Sequence, residues 1–257
     1  SDDALVRDEA VATVMRGGIG GAASEITVEC EIPQHGRRTI LFNGKRPRKF
    51  SDVLLSVPIV AFMPDDLDVI KRGPAVRRDY LDDLATRLWP QAGADLSEFD
   101  RALRQRNSLL RQEGRHTDPL TLDVWDERSA TAGAKVMLHR RAVATALQPH
   151  LSDAYRVVGG SGVLRWAYRS TWGSESAFSE EDLTEALRRA LGERRPKDMD
   201  VRTTTVGPHR DEPGLELDGR STRSRASQGE QRTVALSLRI GAHRLIEELR
   251  NTTPILL

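Results

Sequence analysis

Apolar and polar residues alternate with period two between Glu9 and Phe42: Ile26, Val28 and Cys30 fall on one side, Glu25, Thr27, Glu29 and Glu31 on the other. That pattern predicts a half-solvated antiparallel strand. Glu9 to Met15 and Arg38 to Phe42 are its expected neighbours, reached through a glycine-rich turn from Gly17 to Gly21 and through Pro33 to Gly36. Val57 to Phe62 is a continuous apolar run, as expected of a strand buried on both faces. From Pro64 to about His150 the apolar spacing becomes helical, as in Val76, Tyr80, Leu81, Leu84 and Leu88 and again from Leu103 to Leu110. Asp118-Pro119 and Gln148-Pro149 punctuate this part, and the stretch between them, with Trp125, Val136 and Leu147, predicts one long helix. A strand at Val163 to Tyr168, a capped helix at Ser179 to Leu191 and two short strands around a turn within Asp200 to Leu217 follow. A final amphipathic helix runs from Thr233 to Leu249, and Pro254 to Leu257 begins another buried strand, as though the chain stopped within it.

With 257 residues the chain can bury one large core or two modest ones. Its 39 basic residues balance 38 acidic ones, so contact with a polyanion has to come from local clustering rather than a global field. A single cysteine, Cys30, excludes an internal disulfide framework and a cysteine-rich zinc site, and fits a reducing compartment. The six histidines lack metal-ligand spacing. No window reaches the ~20 apolar residues of a membrane span, and the start lacks the order of a signal peptide. A soluble, cytoplasmic protein is the expectation.

The stretch Ser227-Gln228-Gly229-Glu230-Gln231-Arg232 changes the picture most. A serine followed three residues later by glutamate, at the head of an amphipathic run, marks a reciprocally capped helix N-terminus. A glycine at the second helical position weakens the helix and makes sense where something approaches the backbone closely. Unpaired N–H groups, the helix dipole and the Ser227 hydroxyl together suit a phosphate. Other apparent motifs fail on context. Gly18-Ile19-Gly20-Gly21-Ala22-Ala23 precedes a strand rather than a helix, and His209-Arg210-Asp211 is followed by Glu216 where a kinase needs asparagine. Gly44-Lys45 is the sole Gly-Lys pair and lies outside any phosphate-binding P-loop pattern.

Arg37 and Arg38, with Lys45, Arg46, Arg48 and Lys49, place six positive charges around one hairpin, which suits nucleic-acid phosphates and a solvated loop equally well. Arg77, Arg78, Arg101, Arg104, Arg106 and Arg111 form a second basic region, read as a charged helix face balanced by Asp79, Asp82, Asp83 and Glu113. Asp65 and Asp66 after Pro64 read as first-turn acids that complement a helix dipole, ahead of any role in holding magnesium or water.

Five motifs occur in an order that resembles the RecF family: Phe62-Met63-Pro64-Asp65-Asp66-Leu67; Gly73-Pro74-Ala75 with Arg77-Arg78 and Tyr80-Leu81-Asp82; Leu103-Arg104-Gln105-Arg106-Asn107; Gly207-Pro208-His209-Arg210-Asp211; and Ser227 to Arg232. The resemblance covers nearly the whole chain and is weakest between Asp118 and Asp200. It implies an α/β, ABC-ATPase-like two-lobe head similar to those of SMC proteins, with residues 1–63 as the antiparallel β-rich part of lobe I, 64–250 as a mostly helical lobe II, and 251–257 returning to lobe I. Ser227, Gln228, Gly229, Glu230, Gln231 and Arg232 would then be the signature motif, which contacts the γ-phosphate of ATP held by a second subunit. ATP and Mg2+ would be the ligands, gapped or double-stranded DNA the substrate, and the RecO and RecR proteins the partners, in loading the RecA recombinase during recombinational repair, replication restart and the SOS response. The family's P-loop and paired acids have no counterpart between Ser1 and Leu257, so this stretch alone is expected neither to bind ATP tightly nor to hydrolyse it. The motif reads Ser-Gln-Gly-Glu, closer to this family than to a transporter's Ser-Gly-Gly-Gln. A non-catalytic DNA-binding or partner-docking module of the same shape, and another SMC-type head, are the alternatives; the latter would show long heptads, which are missing.

Overall fold

The computed structural model describes residues 5–20, 25–47, 58–170, 172 and 179–256. Two compact units, Ser1–Pro58 and Ile59–Leu257, divide the chain. The first is an antiparallel meander of β1 (Ala12–Gly20), β2 (Glu25–Pro33) and β3 (Thr39–Phe42). Its register pairs Ala12 with Pro33, Gly20 with Glu25, and Val28 with Phe42. The expected turn at Gly17 to Gly21 is displaced. Gly17, Gly18 and Gly20 lie within β1 opposite Val28, Thr27 and Glu25, and the connection falls at 21–24, outside the described residues. Glycine weakens a strand without removing its N–H or carbonyl, so the ladder set by β2 runs through it. Beyond β3, Asn43 and Gly44 have φ of 49° and 74°, and Phe42 and Lys45 exchange backbone hydrogen bonds of 2.7 and 3.0 Å. This Asn-Gly turn is the favoured two-residue hairpin.

The second unit begins with β4 (Ile59–Val60), which pairs in parallel with β8 (Ile255–Leu256). After a 3-10 turn at Pro64–Leu67 come α1 (Asp68–Lys71), α2 (Pro74–Leu88), α3 (Pro90–Glu113) and α4 (Pro119–Val157). Next come β5 (Leu164–Arg169), α5 (Glu180–Val201), β6 (Glu212–Leu217), β7 (Arg220–Ser221), α6 (Thr222–Arg225) and α7 (Gln228–Arg250). Strands β5, β6 and β7 form one antiparallel sheet. The largest core cluster joins Leu81, Leu84 and Leu88 of α2, Val143, Leu147 and Leu151 of α4, and Val234, Leu238 and Leu245 of α7. A second packs Ala130, Ala134 and Met137 of α4 against Leu183, Leu187 and Leu191 of α5.

Helix α4 starts where expected, with Asp118 accepting the Thr121 N–H at 2.8 Å, but it continues through Pro149 to Val157. An internal proline costs ~3 kcal/mol. Burial of Leu147, Leu151, Ala154 and Tyr155 on the same stretch outweighs that cost. The approach of α7 is close enough that a Cβ on Gly241 would lie 3.2 Å from the Leu151 backbone. Helix α5 likewise overruns its expected end at Leu191, passing Pro196 to reach Val201. Asp200 therefore ends a helix rather than starting a strand, and β6 is the one long strand in the Asp200 to Leu217 window. The alternation Val201, Thr203, Thr205 imitates a strand, but side chains tie this loop down. Thr204 N donates to Asn107 Oδ1 at 2.7 Å, and Thr205 N donates to Asp198 Oδ1 at 3.0 Å.

The second basic region is not a simple charged face. Arg106 is fully buried, its Nε on Asp126 at 2.6 Å and its Nη1 on Asp198 at 2.8 Å and on Thr204 Oγ1 at 2.8 Å. Arg77 is buried as well, whereas Arg101 stays exposed against Glu98. Removing one partner from a buried charge network strands the other. Arg106→Ala should lower stability by about 3–5 kcal/mol, read as a drop in the chemical-denaturation midpoint at unchanged slope; a loss below about 1 kcal/mol would mean water replaces the guanidinium.

Candidate functional site

Ser227 ends an extended loop and caps α7, its Oγ accepting the Glu230 N–H at 3.3 Å while Glu230 Oε2 accepts the Ser227 N–H at 2.7 Å. This is the reciprocal capping box read from the sequence. That backbone bond, with the serine hydroxyl, holds the Glu230 carboxyl below the usual glutamate range. Ser227, Gln228, Gly229, Glu230 and Arg232 are exposed. A Cβ on Gly229 would meet nothing within 4 Å, so the backbone there is open to an approaching group. Gln231 differs from its neighbours. It is buried, and its amide donates to the Thr222 and Ala226 carbonyls at 3.4 and 3.3 Å, pinning the preceding loop to the helix.

Three contacts fix α7 beneath this turn. Arg239 forms an ion pair with Asp66, which also caps its own turn by accepting the Met63 N–H at 2.8 Å. The Tyr80 hydroxyl donates to the Leu238 carbonyl at 3.1 Å, and Val234 and Leu238 sit in the main core. The Pro64-Asp65-Asp66 and Tyr80-Leu81-Asp82 motifs thus support the signature-like turn from more than 150 residues away.

The basic hairpin belongs to the first unit. Arg37, Arg38, Lys45 and Arg46 are exposed, and Arg46 Nη2 runs back along β3 to Thr39 Oγ1 at 3.1 Å, next to Arg38. Arg48 and Lys49 lie outside the described residues.

Sequence reasoning missed a buried polar node around the Gly207 to Asp211 motif. Arg140 makes two 2.7 Å bonds to Asp82 and one to the Pro208 carbonyl. Asp211, fully buried, accepts the Trp172 indole N–H and the Tyr168 hydroxyl, each at 3.0 Å. Burial lowers the His209 pKa to about 4, with the Arg210, Arg78 and Arg106 charges adding to the shift, so its ring is neutral at pH 7. One signal was available. Arg140 shares the buried α4 face of Val136, Val143 and Leu147, a spacing at which an arginine needs a carboxylate. Among the described residues no group of three histidine, cysteine, aspartate or glutamate side chains could hold a metal, and no helix is long and apolar enough to cross a membrane.

No family model matches the chain. Curated relatives do. The DNA replication and repair protein RecF of Acidothermus cellulolyticus is 36% identical over 263 residues, covering 100% of this chain and 71% of the relative. That of Kineococcus radiotolerans is 37% identical over 262 residues, covering 95% and 67%. This chain belongs to the RecF family. Two solved structures, described as the recombination mediator protein RecF-ATP and RecF-ATPrS in the RecFOR pathway, superpose with a TM-score of 0.85 at 28% and 27% identity and cover 98% and 100% of the chain. The fold is accordingly the ABC-ATPase-like α/β head, with an antiparallel unit and a mostly helical one. The chain is a RecF-like protein of DNA replication and repair.

Because the folded-state pKa of Glu230 is depressed, the capping box contributes stability at neutral pH and loses it as pH falls through that depressed value. The protection factor of the Ser227 amide, taken against the intrinsic exchange rate at each pH, should fall over that acidic interval, and Ser227→Ala should cost ~1 kcal/mol at neutral pH. Exchange indifferent to both would mean that the box does not hold the turn in solution.

Proposed function

We propose that this chain is the signature-bearing part of a RecF-like, ATP-dependent DNA-binding protein of recombinational repair and replication restart. The turn at Ser227 to Arg232 completes the nucleotide site of a second subunit. The observation that carries this reading is the exposed, capped N-terminus of α7, where Ser227 is solvent-accessible and the Gly229 backbone is open. A helix N-terminus whose capping hydroxyl keeps its own O–H to donate, with no Cβ in the way, stabilises a γ-phosphate by direct N–H and O–H donation. The likeness to structures described as RecF-ATP supports the ligand.

In this reading Ser227 and Gly229 touch phosphate, Arg232 adds charge, and Gln231 holds the loop from inside. Residues 1–63 and 251–257 belong to lobe I and 64–250 to lobe II; the parallel pairing of Ile59–Val60 with Ile255–Leu256 supports the chain's return to the first lobe. The sequence contains no P-loop, so the chain supplies the half-site in trans while the residues that grip ATP and Mg2+ in cis belong to the complete protein. ATP then favours the paired state through contacts made only there, and hydrolysis releases it. Arg37, Arg38, Lys45 and Arg46, with Arg48 and Lys49 of the same sequence cluster, are the proposed contacts to gapped or double-stranded DNA. The RecO and RecR proteins would be the partners in loading RecA in the cytoplasm.

In the complete protein, Ser227→Arg should abolish ATP-dependent dimerisation, followed by light scattering, while nucleotide binding persists. Unchanged dimerisation would remove the turn from the composite site. The hairpin is tested on the same preparation. Charge removal at Arg37 and Arg46 should flatten the salt dependence of DNA affinity by about two in the logarithmic slope, and an unchanged slope would leave the hairpin a solvated loop.

A further inference from the structure

A second anion-seeking feature lies where α2 begins beside the β5–β6–β7 sheet. Arg77 is only 8% exposed. Its guanidinium makes three bonds, all to carbonyls: Nε to Pro213 at 2.5 Å, and Nη1 to Val69 at 3.0 Å and Arg72 at 2.9 Å. Nη2 has no partner among the described residues. Buried arginines elsewhere in this unit are neutralised by carboxylates, Arg106 by Asp126 and Asp198, and Arg140 by Asp82. Among the described residues Arg77 has no such ion pair. Of the charged neighbours that act on it most, Arg223 and Arg78 are positive, and Glu212, the one negative group, has the smallest effect. Burying a charge without a counter-charge is costly.

Arg77 is not sealed off. It lines an open cleft of about 250 Å3 together with Arg223, Ser221 and Glu212. Arg223 is exposed and, among the described residues, donates only to the Lys71 carbonyl, at 3.1 Å. The Ser221 hydroxyl is exposed and makes no capping bond to α6. The other cationic group of the cleft, Arg169, is paired with Glu216 at 3.4 Å. Two guanidinium groups without carboxylate partners and one available hydroxyl therefore converge on a space large enough for a tetrahedral oxyanion. Guanidinium forks match phosphate oxygens in geometry and charge.

We propose that this cleft binds a phosphate group, held by Arg77 from the buried side and by Arg223 and Ser221 from the open side. Phosphate supplies the counter-charge that Arg77 lacks. The group can come from a free or nucleotide phosphate or from a phosphodiester of DNA, which share this chemistry. The site is distinct from the Ser227 turn and does not depend on ATP-driven pairing of subunits.

The test uses the chain with inorganic tripolyphosphate and, separately, with a duplex oligonucleotide. Tripolyphosphate should raise the thermal midpoint saturably against sodium chloride of equal ionic strength. Arg223→Gln, an exposed change that leaves the buried guanidinium in place, should weaken that binding about fivefold, as should Ser221→Ala to a smaller extent, while Arg101→Gln on α3 should not. If DNA supplies the phosphate, Arg223→Gln should also reduce the salt slope of duplex binding by about one; an unchanged slope assigns the cleft to free phosphates. Tripolyphosphate and duplex binding that are both indifferent to Arg223→Gln would overturn the proposal, as would the lack of any saturable stabilisation together with an unaltered slope.

Discussion

The charge of a buried guanidinium has to be answered, and the larger unit is organised around two arginines whose charge is met by carboxylates. Arg106 ties α3 to Asp126 of α4, to Asp198 of α5 and to Thr204 of the loop beyond. Arg140 ties α4 to Asp82 of α2 and to the Pro208 carbonyl. Each network fixes the relative placement of helices that hydrophobic contact alone would leave free to slide. Apolar packing at Leu147, Leu151 and Leu238 supplies the bulk of the burial, and the ionic nodes select one arrangement of it.

The family motifs acquire physical meaning from these nodes. Several of their residues face inward. Arg106 and Asp211 are interior, Tyr80 reaches a carbonyl of α7, and Asp66 pairs with Arg239. Tyr80 and Asp66 hold α7 in place while its first turn stays exposed. That division suits the half-site proposed for this turn, since donors fixed in advance need no reorganisation when an anion arrives.

Arg77 departs from the pattern. It is as deeply placed as its neighbours but is answered only by carbonyl dipoles, in a cleft that also presents Arg223. Where the chain could have placed a carboxylate it left an opening, and an external anion is the group that completes the electrostatics.

Much of the fold and part of the site were legible from local order along the chain. Alternation marked β2, helical spacing marked α2 to α4, Asp118, Ser179 and Ser227 marked helix starts, and the Ser227–Glu230 box was read with its partners. These are short-range features, decided within one or two turns by caps and periodicity. The tertiary structure decided what local rules cannot see. It carried α4 through Pro149 and α5 through Pro196, drew β1 across its glycines, and turned the Thr203 to Thr205 alternation into a pinned loop. It also separated Arg77 and Arg106, which are buried, from Arg101, which is solvated, although all three lie on helices of similar composition. The physical reason is that a proline's cost, a glycine's weakness or an arginine's charge is offset by groups on other elements, as Arg106 by Asp198, 92 positions away. Sequence determines the local preference and the chemistry on offer; the packed interior determines which preferences are overruled.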